Sequence, residues 1–114
     1  MVTKKKYIPE RGDVVWVSFD PVRGHEQRGR RPALIVSPRS YNSASGLALA
    51  CPVTSHIKGY PFEVKVVIQK KESAVLVDQI RSIDWNERNV EKILTAPAHV
   101  VEETQERLEK IISK

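Results

Sequence analysis

With a single cysteine, Cys51, the chain has no intrachain disulfide to hold its fold together. No run of apolar residues approaches the ~20 that cross a bilayer as a helix. The opening "MVTKKKYIPERGD" has a basic run but no apolar stretch behind it. A secreted or membrane-spanning protein is therefore not expected, and the cytoplasm is. The histidines, His25, His56 and His99, are scattered, and no HxxH or CxxC spacing occurs, so neither a metal site nor a cofactor is expected. Acidic residues are the scarcer charge. Fourteen Asp plus Glu against nineteen Lys plus Arg leave a formal charge of +5, which favours a polyanionic partner without naming one. There is no internal repeat, linker or low-complexity segment.

What remains is an ordinary globular composition, 40% hydrophobic and 29% charged, over 114 residues. That length makes one domain, residues 1–114, with a real core and no room for a second module. The first two-thirds is punctuated by Gly, Pro, Asn and Ser, and between these marks lie short β-rich runs. Strands are expected at Asp13–Ser18, Pro32–Ser37, Leu47–Val53, Phe62–Ile68 and Ala74–Ile83, the last bending near Asp78. "DWNER" at Asp84–Arg88 suits one helical turn, and "NVEKIL" a further short strand. From Pro97 the period changes: Val101, Thr104, Leu108 and Ile111 recur at helical spacing, giving an amphipathic C-terminal helix whose first turn tolerates the proline. The expected class is mainly β with α, a small barrel closed by that helix.

Between the first two strands runs "FDPVRGHEQRGRR", a loop of roughly a dozen residues, longer than a plain hairpin connection needs. Its base gathers Glu26, Gln27, Arg30 and Arg31, and Pro32 holds Arg31 extended. Read from composition alone it is a solvated loop with local ion pairs. Thr54 and Ser55 follow the third strand just as Arg31 precedes the second, so an antiparallel arrangement would bring a hydroxyl to a guanidinium, a combination that holds phosphate. Taken singly, Thr54 is more simply a hydrogen-bonding strand end. The stretch "HIKGYPFEV" interleaves His56, Lys58, Tyr60 and Phe62, cations with aromatics, as single-stranded nucleic-acid sites do, although Phe62 is equally suited to a core. "RGD" at Arg11–Asp13 enters a strand and reads as a turn rather than an adhesion motif.

"RGDVVWVSFDP", "GHEQRGRRPALIVSP", "YNSASG", "CPVTS", "KGYPFEV" and "VLVDQIRSIDW", in this order, resemble the MazF/PemK family of toxin endoribonucleases over nearly the whole chain. The resemblance implies an SH3-like barrel of the plasmid-toxin type, a homodimer, cleavage of single-stranded RNA without metal or cofactor, and neutralisation by a cognate antitoxin with a disordered acidic tail. It places the catalytic arginine on Arg31 and the catalytic threonine on Thr54. Because an arginine is a poor base, Glu26 is the favoured proton acceptor, with His25 and His56 as runners-up. His25, Gln27, Arg28, Arg30, Ser55, His56, Lys58, Tyr60 and Gln79 fall to RNA binding. Arg30 stands where it could share the role of Arg31. RNA-reading loops are expected at Asp20–Arg30, Ser55–Pro61 and Asn42–Gly46, with a site containing ACA. Trp16, Phe19 and Trp85 are candidates to receive apolar residues of the antitoxin. Two other readings remain at this point: a noncatalytic RNA-binding barrel, and a gyrase-poisoning toxin on the same fold. The Trp-Gly-Ile end of the latter is missing from "EKIISK".

Overall fold

The computed structural model describes residues 7–18 and 30–113. Seven strands and two helices follow one another: β1 (Asp13–Ser18), β2 (Arg30–Ile35), α1 (Arg39–Ser45), β3 (Leu47–Thr54), β4 (Glu63–Ile68), β5 (Lys71–Leu76), β6 (Arg81–Asp84), β7 (Glu91–Thr95) and α2 (Ala98–Ile112). All pairings are antiparallel, in the order β4-β5-β3-β2-β1-β7. β3 is the branch point. Its first half pairs with β6, from Leu47↔Asp84 to Ala50↔Arg81, and its end with β5 through Val53↔Val75 and Thr54↔Ala74. The sheet therefore curls into the half-barrel expected for this class, with α2 against β4.

"DVVWVS" and "PALIVS" do not alternate apolar with polar because both faces of their strands are covered. Val14, Leu34, Cys51 and Val53 point to one core, under α2, with Val64, Val75 and Val100. Their neighbours Val15, Val17, Ala33, Ile35, Ala48 and Ala50 point to another, closed by Ile83 and Trp85. A period of two thus distributes one apolar run between two cores.

The turn at Arg11–Asp13 is as read. Gly12 takes φ 96°, a conformation that few side chains tolerate, while donating to Ile35 O at 2.8 Å and accepting from Ala96 N at 2.8 Å. Asp13 is buried against the Tyr7 hydroxyl, the Glu10 N–H and Lys92, so it presents nothing to an adhesion receptor. The β run after residue 71 does bend, through a single 3-10 turn at Val77–Gln79. "DWNER" makes its one turn, with Arg88 N donating to Asp84 O at 3.0 Å. In α2 the buried stripe is Val100 and Thr104 with Val101 and Leu108 beside it, whereas Ile111 is 41% exposed: the helix outruns the surface it covers.

One element departs from expectation. "YNSASG" is not an RNA-reading loop but most of α1, ended by Gly46 at φ 76°, whose N–H bonds back to Asn42 O. Asn42 is fully buried. Its Nδ2 donates to Pro9 O at 2.8 Å and Ser37 O at 3.1 Å, and its Oδ1 accepts from Ser37 Oγ at 2.5 Å. Ser37 Oγ in turn accepts from Leu49 N, and Trp85 Nε1 donates to Asn42 O at 3.0 Å. Asn42 is thus a structural knot, and Trp85 belongs to the core instead of an open cleft.

Candidate active site

β2 and β3 pair at Ala33↔Pro52, Leu34↔Cys51 and Ile35↔Ala50. Continued two residues toward the strand ends, the same register sets Arg31 opposite Thr54. Pro32, the next residue on β2, restricts Arg31 to extended backbone. Strand alternation sends Arg30 the other way, where it forms an ion pair with Glu91 of β7. Two adjacent arginines are therefore given to two different surfaces.

Arg31 and Thr54 form part of the wall between two hollows. The larger, about 550 Å³, is completed by His56, Lys58, Tyr60, Glu63, Asp78, Gln79 and Arg81. The smaller, about 350 Å³, is completed by Trp16, Pro32, Ser55, His56, Gln69, Lys71 and Ser73. Thr54 Oγ1 accepts the His56 N–H at 3.1 Å, which leaves the hydroxyl proton available for an external acceptor. Beneath them Cys51 is sealed: burial, assisted by the Asp78 charge, pushes its thiol up to about 12, so it is no nucleophile near neutral pH.

The segment from Ser55 to Pro61, read from sequence as a loop, is fastened by a residue the motif reading passed over. The Glu63 carboxylate accepts N–H groups from Lys58 at 3.2 Å, Gly59 at 2.7 Å and Tyr60 at 3.2 Å. Burial by itself would raise its pKa, but those three donors and the nearby Lys58 charge outweigh it and hold the carboxyl below its ordinary value. From α2, Arg107 Nη1 donates to Pro61 O at 2.6 Å and Glu63 O at 2.8 Å. With its backbone so held, the loop projects its side chains outward. Tyr60 is 58% exposed, with the Lys58 ammonium 5.7 Å from its ring centre.

Of the residues singled out from sequence, Arg31, Thr54, His56, Lys58, Tyr60 and Gln79 share the larger hollow, and Ser55 borders the smaller. Arg30 lines neither. Phe19, His25, Glu26, Gln27 and Arg28 lie outside the described residues. Asp78 and Arg81 join the larger hollow unforeseen, although the break in "AVLVDQIRSI" was their signal. Among the described residues, no group of three His, Cys, Asp or Glu side chains gathers as a metal site would, and no helix is long and apolar enough to cross a membrane.

A guanidinium and a hydroxyl donor lining the same hollows, with aromatic and cationic side chains on one flank, have the chemistry to hold a phosphodiester between nucleotides. The family profile described as PemK-like, MazF-like toxin of type II toxin-antitoxin system matches residues 10–112. The endoribonuclease toxin MazF of Escherichia coli (strain K12) is 46% identical over 76% of this chain and 78% of its own. The crystal structure of MazF (Form-I) from Deinococcus radiodurans superposes with a TM-score of 0.84 at 46% identity, covering 96% of this chain and 100% of that one. A MazE-MazF structure (Form-II) from the same organism gives 0.81 at 42% identity, over 94% and 97%.

Proposed function

The chain belongs to the PemK-like, MazF-like toxin family of type II toxin-antitoxin systems, and from that premise we propose that Arg31 and Thr54 mark the point where it cuts single-stranded RNA. It is an endoribonuclease toxin, and RNA cleavage that inhibits translation fits its family. The observation that carries the site assignment is the β2–β3 register, which faces Arg31 with Thr54 at the junction of two hollows.

The proposed reaction uses the ribose 2′-OH as internal nucleophile on the adjacent phosphorus. The P–O5′ bond breaks and the departing O5′ takes up a proton, balancing the one removed from the 2′-OH, which leaves a 2′,3′-cyclic phosphate and a 5′-OH. Arg31 neutralises charge growing on the non-bridging oxygens, and the Thr54 hydroxyl donates to one of them. Proton removal from the 2′-OH falls to a carboxylate, because an arginine with pKa above ~12 is a poor base. Glu26 is assigned that role, and Asp78 is a second carboxylate on the larger hollow. His56, Lys58, Tyr60 and Gln79 hold unpaired nucleotides there, with His25, Gln27 and Arg28 contributing from the sequence between β1 and β2. Duplex RNA, whose bases cannot splay, is a poor substrate, and a core containing ACA is the proposed preference.

Incubation of a long RNA with the protein in EDTA, followed by mapping of 5′ ends, tests the chemistry. Discrete cuts with 5′-OH and cyclic-phosphate ends are expected. Activity that disappears with chelator and returns with a divalent cation would refute the proposed mechanism, and cuts sharing no triplet would discard ACA.

Solved MazE-MazF structures support an antitoxin partner for this chain. The finer proposal is a homodimer, working in the cytoplasm, whose antitoxin lays an acidic tail where RNA phosphates would lie, with apolar residues at Trp16. Tail and RNA then compete. With a non-cleavable RNA, the apparent Kd should rise in proportion to antitoxin, and antitoxin affinity should fall as salt rises. Inhibition with RNA affinity unchanged would show that the tail acts elsewhere.

A further inference from the structure

An endonuclease must seat chain on both sides of the bond it breaks, and this protein has a hollow on each side of Arg31 and Thr54. We propose that the smaller one, against the β4–β5 hairpin, is a distinct nucleotide subsite: the Trp16 indole stacks the base flanking the scissile phosphate and the Lys71 ammonium holds the next phosphate. The proposal rests on the cleavage site assigned above and extends its substrate footprint.

The hollow's volume of about 350 Å³ is near the lower end of small-ligand sites, room for a single nucleotide instead of a run. Its construction differs from that of the larger hollow. Trp16 on β1 pairs with Pro32 on β2, so the indole stands beside a rigid ring next to Arg31, and it is only half-buried. Across the hollow, Ile68 pairs with Lys71 around a two-residue turn in which Gln69 and Lys70 both have positive φ, 49° and 67°. That geometry turns the chain tightly and starts β5 with Lys71 on the same face as Ser73, both toward the hollow. Lys71 is exposed, as a phosphate ligand must be. Ser55 and Ser73 supply hydroxyls, and among the described residues no carboxylate lines this hollow, whereas Glu63 and Asp78 line the other.

The two sides thus divide the work. Both hollows carry an amide and share the His56 imidazole, but among the described residues only the larger adds carboxylates, Glu63 and Asp78, as further acceptors that can read base edges. An aromatic face with a cation gives sequence-tolerant stacking and charge. The smaller hollow therefore contributes affinity common to all sequences, and truncating RNA on its side weakens binding without changing preference.

The experiment uses single-stranded RNA oligomers carrying one cleavage site, shortened stepwise from either end, in cleavable form and with a 2′-deoxy nucleotide that blocks the cut. Wild type, Lys71→Ala and Trp16→Leu are compared, with circular dichroism to confirm folding and Trp16→Phe as the variant that keeps a stacking face. Trp16→Leu should weaken binding of the long oligomer roughly tenfold, with Trp16→Phe near wild type. Lys71→Ala should weaken it several-fold, with a salt dependence shallower by about one phosphate contact. Both losses should appear in KM more than in kcat, and vanish on oligomers already shortened from one particular end. Failure of Lys71→Ala to alter binding of any oligomer, or a loss independent of which end is shortened, overturns the subsite. If wild type cuts nothing while the end-specific binding loss persists, the cleavage reading falls and the subsite stands.

Discussion

Replacing Arg31 by Ala should lower kcat by roughly 10²-fold or more while leaving the fold and most of the RNA affinity in place. That is the usual loss when one preorganised donor to a charge-developing oxygen is removed. The fold should survive because the Arg31 side chain is exposed at the beginning of β2, and the strand's buried residues, Ala33 to Ile35, are unchanged. Affinity should fall less, since Lys58, Tyr60 and Gln79 remain in the cleft. The neighbouring arginine is a poor substitute. Arg30 faces the opposite surface of the strand and is held by Glu91, so Arg31→Ala alone should be nearly as slow as the Arg30, Arg31 double alanine variant. Arg31→Lys should recover only part of the rate, because an ammonium cannot present two parallel donors to a phosphate. Single-turnover cleavage of an unstructured RNA, with affinity measured separately on a non-cleavable analogue, checks all of this. An alanine variant within threefold of wild type would remove Arg31 from the mechanism.

Asn42→Ala should have the largest effect on stability among the substitutions considered, a loss of about 3 kcal/mol, or a Tm lower by roughly 15 °C for a domain of this size. The side chain closes three hydrogen bonds in a fully buried place. Its removal leaves the Pro9 and Ser37 carbonyls without that donor and the Ser37 hydroxyl without its acceptor, groups that water cannot easily reach. Unpaired buried polar groups cost more than the bonds were worth. Asn42→Asp should be no rescue, since it keeps an acceptor where two donors are required. Thermal melts followed by circular dichroism decide the matter, and a Tm within about 3 °C of wild type would mean that the knot relaxes or rehydrates.

The same residue shows where sequence reading succeeds and where it stops. β1 runs from Asp13 to Ser18 as expected, because apolar β-branched residues and flanking turns mark it from both sides. β2 begins at Arg30, two residues before the proline expected to open it; pairing continues to Ser18↔Arg30, and polar residues at a strand end leave no pattern. α1 was hidden for a different reason. "RSYNSAS" is rich in residues that favour turns and too short for a helical period, and its stability comes from one asparagine bonded to residues far along the chain. That Arg31 and Thr54 lie at neighbouring strand ends was legible because each adjoins a recognisable strand and one antiparallel pairing joins them, while their proposed roles came from the family resemblance. Glu63 and Arg107 were not. Glu63 looks like any polar residue opening a strand, and Arg107 like any solvated position on α2, until folding brings residues 44 apart within 2.8 Å.

The Glu63 carboxylate also bears on how such a protein can change over generations. Because it occupies the N–H groups of Lys58, Gly59 and Tyr60, the loop's shape is set by main-chain atoms that every amino acid except proline possesses, and by Gly59 at φ 83°. None of the side chains at 56, 58 and 60 makes a hydrogen bond in that fastening, to which Lys58 adds only its charge beside Glu63. With these side chains in their proposed RNA-binding role, frame and reading surface are separately heritable: drift at those three positions would retune which nucleotides are preferred while the scaffold persists, and new specificity need not cross a valley of misfolded intermediates.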